Sequence, residues 1–359
     1  MASEGKRMRM AKALTGIDIG SGHLKMAVCD GRAVSQVIVE DMPDNLVKDG
    51  RITSLETMSE LLRNTVRKHR VSAKNAAFVL NSRDVYTRRI VLPAMTVDEL
   101  KLNLPFEFRD YIADGKDKYR FDYALLEMRH DEVGVPQEMD VLAVAAPIET
   151  IEGYADMLRR AGLKLKIAAP DIMAYANIIA QYERNHPVTD AAPAAASSVP
   201  DAPAAPAARD FCFLDIGSTN TRVYLFPQGK YEVTRSVEFG VHSLVAAVAD
   251  HFGVDENLAK TYVATNYENA QTIQPCLDLY ERIGVELARI VSFFNFNYPD
   301  SQLATVHYCG SGSGIVPLLH AIDEHLSIDL VDIGAMMPYS PAVADSLRAC
   351  PAAVGLALQ

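Results

Sequence analysis

The sequence predicts an α/β protein of two lobes related by duplication, on three observations. A stretch near the start, Thr15-Gly16-Ile17-Asp18-Ile19-Gly20-Ser21-Gly22-His23-Leu24-Lys25-Met26-Ala27-Val28, returns near mid-chain as Phe213-Leu214-Asp215-Ile216-Gly217-Ser218-Thr219-Asn220-Thr221-Arg222-Val223-Tyr224-Leu225 with no gap. Strand and helix patterns mix in both halves. A tract of Ala, Pro and Ser from His186 to Arg209 parts them.

Each copy of the repeated stretch is an apolar strand ending in Asp-Ile-Gly-Ser, a short polar turn, a cation (Lys25 or Arg222) and a second apolar strand. That is a tight hairpin. Glycine in the turn lets an anion approach the backbone amides, and the Asp carboxylate can hold a hydrated magnesium ion beside that anion. One such hairpin would read as a solvated turn. Two point to phosphate binding by related lobes, with a nucleotide between them.

Beyond the first hairpin, Thr53 and Glu56 suggest a capping box ahead of Leu55, Met58, Leu61, Leu62 and Val66, a helical spacing. Residues 76–80 and 85–91 read as strands, closed by Leu92-Pro93. Thr96 and Glu99 repeat the capping signal, and the helix they open is expected to be interrupted at Pro105. Strands follow at 119–125 and 141–145, then a helix from Ile148 that Gly162 stops. Residues 94–165 are therefore expected to form an inserted small subdomain. The first lobe comprises 14–93 and its return, 166–186, preceded by a flexible tail over 1–13. The Ala/Pro-rich stretch over 187–209 is expected to be a disordered linker.

The second lobe opens with the repeated hairpin (210–245), followed by a subdomain over 246–303 and a return over 304–338. The segment 339–359 is expected to pack back on the first lobe. Within the second lobe a strand over 231–239, a helix over 241–252 and one long helix marked by Leu277 to Phe294 precede a strand over 304–308. The loop Cys309-Gly310-Ser311-Gly312-Ser313-Gly314 comes next, and a helix begins at about Val316 with Pro317 in its first turn. Such a loop can lie flat against a purine or phosphate. A dinucleotide fingerprint would instead place its third glycine at Ile315, with too little chain after it.

Composition narrows the function classes. The chain has 359 residues, 49% hydrophobic, enough for two cores. A formal charge of −11 and the absence of Trp argue against nucleic acid or an anionic membrane as the main partner. Lys6, Arg7, Arg9 and Lys12 lead into no apolar run, so neither a secretory signal nor direct membrane insertion is expected. The five cysteines show no metal-ligand spacing, which fits reduced thiols in a cytosol.

Hairpin, hairpin and glycine loop, in that order, resemble the phosphate-1, phosphate-2 and adenosine motifs of the actin and sugar-kinase superfamily. The resemblance implies a two-lobed actin-like fold (ribonuclease H-like, duplicated) binding ATP and Mg. By match, the nucleotide residues are Asp18, Gly20, Ser21, Gly22 and Lys25, then Asp215, Gly217, Ser218 and Thr219, then Gly310, Ser311 and Gly312. Asp18 and Asp215 would serve the Mg through water. Within the superfamily the chain resembles the PilM family of actin-like type IV pilus assembly proteins. This rests on Leu92-Pro93 with Glu99, Asp122-Tyr123, the inserted subdomain, Arg235 and Gly240 after the second hairpin, and the ending Gly355-Leu356-Ala357-Leu358. The family's Glu and Lys in the helix after phosphate 2 are unmatched in Leu258-Ala259-Lys260-Thr261-Tyr262.

That resemblance implies a cytoplasmic ATP-binding scaffold at the inner face of the membrane, held there by the tail of a bitopic PilN-like protein. It further implies contacts with other pilus platform or motor proteins, self-association, and slow or no hydrolysis. Asp171, at a helix start, is the candidate general base, or simply a helix cap. The alternatives are a small-molecule kinase, which would need a substrate pocket with a carboxylate base, and a membrane-tethered filament protein resembling FtsA. The latter should end in a basic amphipathic helix, whereas residues 346–359 hold one cation, Arg348.

Overall fold

The computed structural model describes residues 13–30, 33–187, 209–299, 301 and 303–358. The expected tail and linker fall, but for their end residues, outside that set. The chain divides into two units, residues 1–177 with 338–359, and residues 178–337.

In the first unit, β1 (Leu14–Ile19), β2 (His23–Cys29) and β3 (Val34–Asp41) form an antiparallel meander. A two-residue pair, β4 (Val47–Lys48) and β5 (Arg51–Ile52), leads into α1 (Leu55–Lys68). The cap of α1 is Ser54, whose hydroxyl accepts from Thr57 N at 3.2 Å, one residue later than the pattern suggested. Thr53 instead donates its hydroxyl to the carbonyl of Asn45 at 2.8 Å, tying down the preceding turn. Strand β6 (Asn75–Leu80) runs parallel to β1.

The chain then leaves this sheet. Strand β7 (Tyr86–Pro93), helix α2 (Val97–Glu107) and the long pair β8 (Tyr119–His130) and β9 (Pro136–Pro147) build a separate antiparallel sheet in the order β7-β9-β8. The predicted capping box of Thr96 and Glu99 is present on α2. Pro105 does not interrupt that helix. It sits in the last turn, where only one intrahelical hydrogen bond is lost. Leu100, Leu104 and Phe108 pack on Ile90, Val141 and Ala143 as a small core of its own. Arg89 grips the buried Asp140 carboxylate with two nitrogens, at 2.6 and 3.0 Å.

This sheet starts at Tyr86 and ends at Pro147, so it is drawn differently from the expected 94–165. The reason is packing. Helix α3 (Ile148–Arg160) buries Tyr154, Met157 and Leu158 in the core of the main sheet, against Phe78 and Leu62. Strand β10 (Lys164–Pro170) then pairs parallel to β6 and completes the order β10-β6-β1-β2-β3. Helix α4 (Asp171–Asn185) follows, and the boundary between units falls inside it.

The second unit repeats the plan. Strands β11 (Phe211–Ile216) and β12 (Thr221–Phe226) are the second hairpin, and β13 (Val233–Val237) is the edge beside β12. Helices α5 (Val241–Phe252), α6 (Glu256–Thr265) and α7 (Gln274–Asn297) come next. Strand β14 (Thr305–Cys309), helix α8 (Val316–His325) and strand β15 (Asp329–Asp332) close the sheet as β13-β12-β11-β14-β15. One face carries Leu214, Val223 and Val306 against α5, α7 and α8. The other carries aromatic rings: Phe213 lies parallel to Phe211, edge-on to Phe226 and beside His307.

From Pro338 the chain returns to the first unit and ends in α9 (Pro351–Ala357), every residue of which is buried. An all-apolar helix of small residues suits an interior slot. Its backbone presses on β1 so closely that a Cβ at Gly16 would lie 1.7 Å from Ala353 O, and on α4 so closely that one at Gly355 would lie 2.2 Å from Ala174 O.

Candidate functional site

The two hairpins fold in the same register. Asp18 stands opposite Lys25, and Asp215 opposite Arg222. In each turn the glycine amide closes the hairpin, Gly20 N donating to His23 O and Gly217 N to Asn220 O, both at 3.0 Å. The amides of Ser21, Gly22, Ser218 and Thr219 donate to no backbone carbonyl among the described residues. The residues that carry these N–H groups are partly or fully exposed, an arrangement of the kind that can receive an anion.

In the first unit, Lys25 is 7% exposed and its Nζ lies 3.8 Å from Asp18 Oδ2. The partnership lets a cation stay buried at the foot of the turn. Cys350 lies close by, and burial pushes its thiol up to about 12, so it is no nucleophile. All five cysteines are buried thiols.

Asp171 begins α4 at the carboxyl end of β10, two strands from β1 and so about 10 Å away across the sheet. Its Oδ1 accepts from Ile172 N at 2.8 Å, an engagement with its own helix start. Asn81, at the end of the intervening β6, was not singled out in the sequence; its Oδ1 accepts from Arg83 N at 3.1 Å. Only the parallel order of β1, β6 and β10 reveals that these polar ends share one edge.

In the second unit the glycine loop lies directly on the base of the hairpin. Gly310 has φ +91°, and a Cβ there would come within 2.3 Å of Asp215 Oδ1 and 2.5 Å of Ile216 O. A Cβ at Gly312 would meet Ile216 Cγ2 at 2.3 Å. Ser311 to Gly314 form a single tight turn, with Ser313 Oγ donating to Gly310 O at 2.6 Å. The start of α5 is fixed to the same hairpin, as Val241 N donates to Gly217 O at 3.1 Å and His242 N to Ser218 O at 2.8 Å. Asp215, Gly217, Ser218, Thr219, Gly310, Ser311 and Gly312 are thus gathered within one unit. Asp18, Gly20, Ser21, Gly22 and Lys25 are gathered in the other, with Asp171 further along its sheet.

The donor set fits a phosphate chain: open amides, a cation and small residues at each turn. No group of three or more His, Cys, Asp or Glu side chains able to hold a metal occurs among the described residues. No described helix is long and apolar enough to cross a membrane.

Duplicated sheets carrying matched hairpins, with a glycine loop seated on the second, define the actin-like ATPase fold. The solved PilM-PilN type IV pilus biogenesis complex contains a chain similar to this one over 96% of its length and 97% of that chain, at TM-score 0.74 and 20% identity. The ethanolamine utilization protein EutJ from Carboxydothermus hydrogenoformans is similar over 96% and 90%, at TM-score 0.52 and 14% identity. No curated protein matches the chain by sequence. The sequence model of the type IV pilus assembly protein PilM matches residues 16–359, and the chain belongs to that family.

Proposed function

We propose that this member of the pilus assembly family is a nucleotide-dependent scaffold. Its two hairpins hold the phosphates of ATP, and its separate three-stranded sheet serves a membrane protein's tail. The identical register of Asp18 with Lys25 and of Asp215 with Arg222 carries the nucleotide reading. When bound, magnesium ATP would supply a triphosphate and its cation. The amides of Ser21, Gly22, Ser218 and Thr219 orient the anion, while Lys25 offsets its charge. Asp18 and Asp215 position the water shell of the ion, and Gly310, Ser311 and Gly312 form the floor under the purine.

Turnover is slow or absent in this reading. Asp171 is engaged with its helix start, and α6 carries Leu258-Ala259-Lys260-Thr261-Tyr262, in which neither the family's Glu nor its Lys is matched. Membership of the family supports the tail partner, as does the pairing of PilM with PilN in the solved complex. A PilN-like peptide is further supported by the apolar side chains Tyr86, Val91 and Leu125, each between 39% and 50% exposed on the three-stranded sheet. That attachment would hold the protein at the inner face of the membrane.

Calorimetric titration with magnesium ATP, beside Asp18→Ala and Asp215→Ala, tests the reading. Saturable binding to the parent, lost in both variants that remain folded, is expected. Unchanged binding in either variant, or none in the parent at millimolar nucleotide, would remove the hairpins from the function.

A further inference from the structure

Strand β13 is an edge of the second unit's sheet, so its outer backbone groups have no strand neighbour. Beside it runs the last part of α7, and the two enclose an open groove of about 570 Å³. Arg235 and Ser236 line it from the strand, and Ile290, Phe293 and Asn297 from the helix. Phe293 is 58% exposed, and Phe296, one turn neighbour on the same helix, is 84% exposed. Phe293 lines the groove beside an open strand edge and Phe296 is its neighbour on the helix surface, and large rings left in water are a liability unless something covers them.

The charges say what that something is. The Arg235 guanidinium lies 5.9 Å over the ring of Phe293 and has no carboxylate within ion-pair distance among the described residues. The neighbouring Arg289 is already given to Glu286 at 3.3 Å. Arg235 was singled out in the sequence, yet neither hairpin uses it.

We infer that this groove receives an extended peptide from a partner protein, paired as an extra strand on β13. Its carboxylate side chain sets against Arg235, and an aromatic or large aliphatic side chain on the same face covers Phe293 and Phe296. A strand places same-face side chains two residues apart, so the recognised pattern is an acid and an apolar residue flanking one other. Glu232 and Glu286, also on the groove, disfavour a phosphate backbone. A second copy paired through β13 with Val233 opposite Val237 would set Arg235 against its own symmetry mate, a like-charge pair that destabilises.

The test is selection of a displayed library of randomised short peptides on the full chain, followed by fluorescence polarisation with the labelled consensus peptide. Enrichment of the acid and apolar pattern is expected, with affinity weakened at least about tenfold by Arg235→Glu and by Phe296→Ser. Selection on Arg235→Glu should return basic peptides instead. Phe296→Ser alters a side chain in water, so it keeps the test decisive if the charge reversal fails to fold, which thermal unfolding reports. Absence of the pattern, or binding indifferent to both variants, overturns the inference. A dimer in sedimentation equilibrium that both variants abolish would assign the groove to a second copy and overturn it as well.

Discussion

The two hairpins share a register but differ in what lies behind them. Aligning Asp18 with Asp215 sets Gly16 level with Phe213. In the first unit the position is empty of side chain, because the backbone of α9 occupies the space. In the second, Phe213 is fully buried and fills the equivalent space with a ring. A hairpin that presents backbone to its ligand needs only a firm back wall, and here one wall is a helix and the other a layer of aromatics. The duplication therefore preserved the register of the hairpin and let the support diverge.

The largest effect should come from filling the first wall. Gly16→Ala forces a methyl into Ala353 O, and a loss of at least about 3 kcal/mol from the first unit is expected by urea unfolding. Emptying the second wall should cost about as much: Phe213→Ala leaves a cavity worth about 3 to 5 kcal/mol, read in the second unit alone. If either change destabilised both units equally, the two walls would not be independent.

Next come the carboxylates. Asp18→Ala removes the carboxylate nearest the buried Lys25 ammonium, and a cost of about 2 to 4 kcal/mol is expected after allowing for the partial exposure of Asp18. Asp18→Asn with Lys25→Met should recover most of it. Calorimetry of the double variant separates stability from nucleotide binding, since only the former should return.

Smaller still are the opposite pH signatures of two groups. Burial holds His307 down to about 4, with its Nδ1 shut away from solvent and without a hydrogen-bond partner. The unfolded chain takes up this proton first, so stability falls by about 3 kcal/mol as the pH drops from about 6.5 towards 4. His307→Phe should flatten that loss in the second unit. In the first unit burial raises the Asp84 carboxyl, despite the hydrogen bond at 2.6 Å that Tyr154 donates to it. Its contribution is present below the ordinary carboxylate range and is lost as the pH rises through the raised value. Asp84→Asn should therefore gain under about 1 kcal/mol at neutral pH, checked by thermal unfolding across that range.

Much of this was legible in the sequence where side chains repeat with a fixed spacing. The hairpins, the capping box at Thr96, α5 and the start of α8 all read directly. The rest depended on neighbours far along the chain. Strand β3 carries no clean alternation, and Tyr86 to Pro93 reads as one more strand of the main sheet until its pairing with β9 is known. The α9 segment of Ala, Gly, Val and Leu has no polar face, so periodicity says nothing of its place. At the candidate site, the residues of each turn and the cap role of Asp171 were evident, but the seating of Gly310 on Asp215 was not. That contact is made by folding and carries no sequence pattern.

The burial of α9 has a bearing on how the chain is made. Residues 178–337, the whole second unit, leave the ribosome before the helix that β1 requires at its back. The half of the molecule translated first is thus the last that can be finished, and its apolar slot stays unfilled until residues 351–357 have emerged.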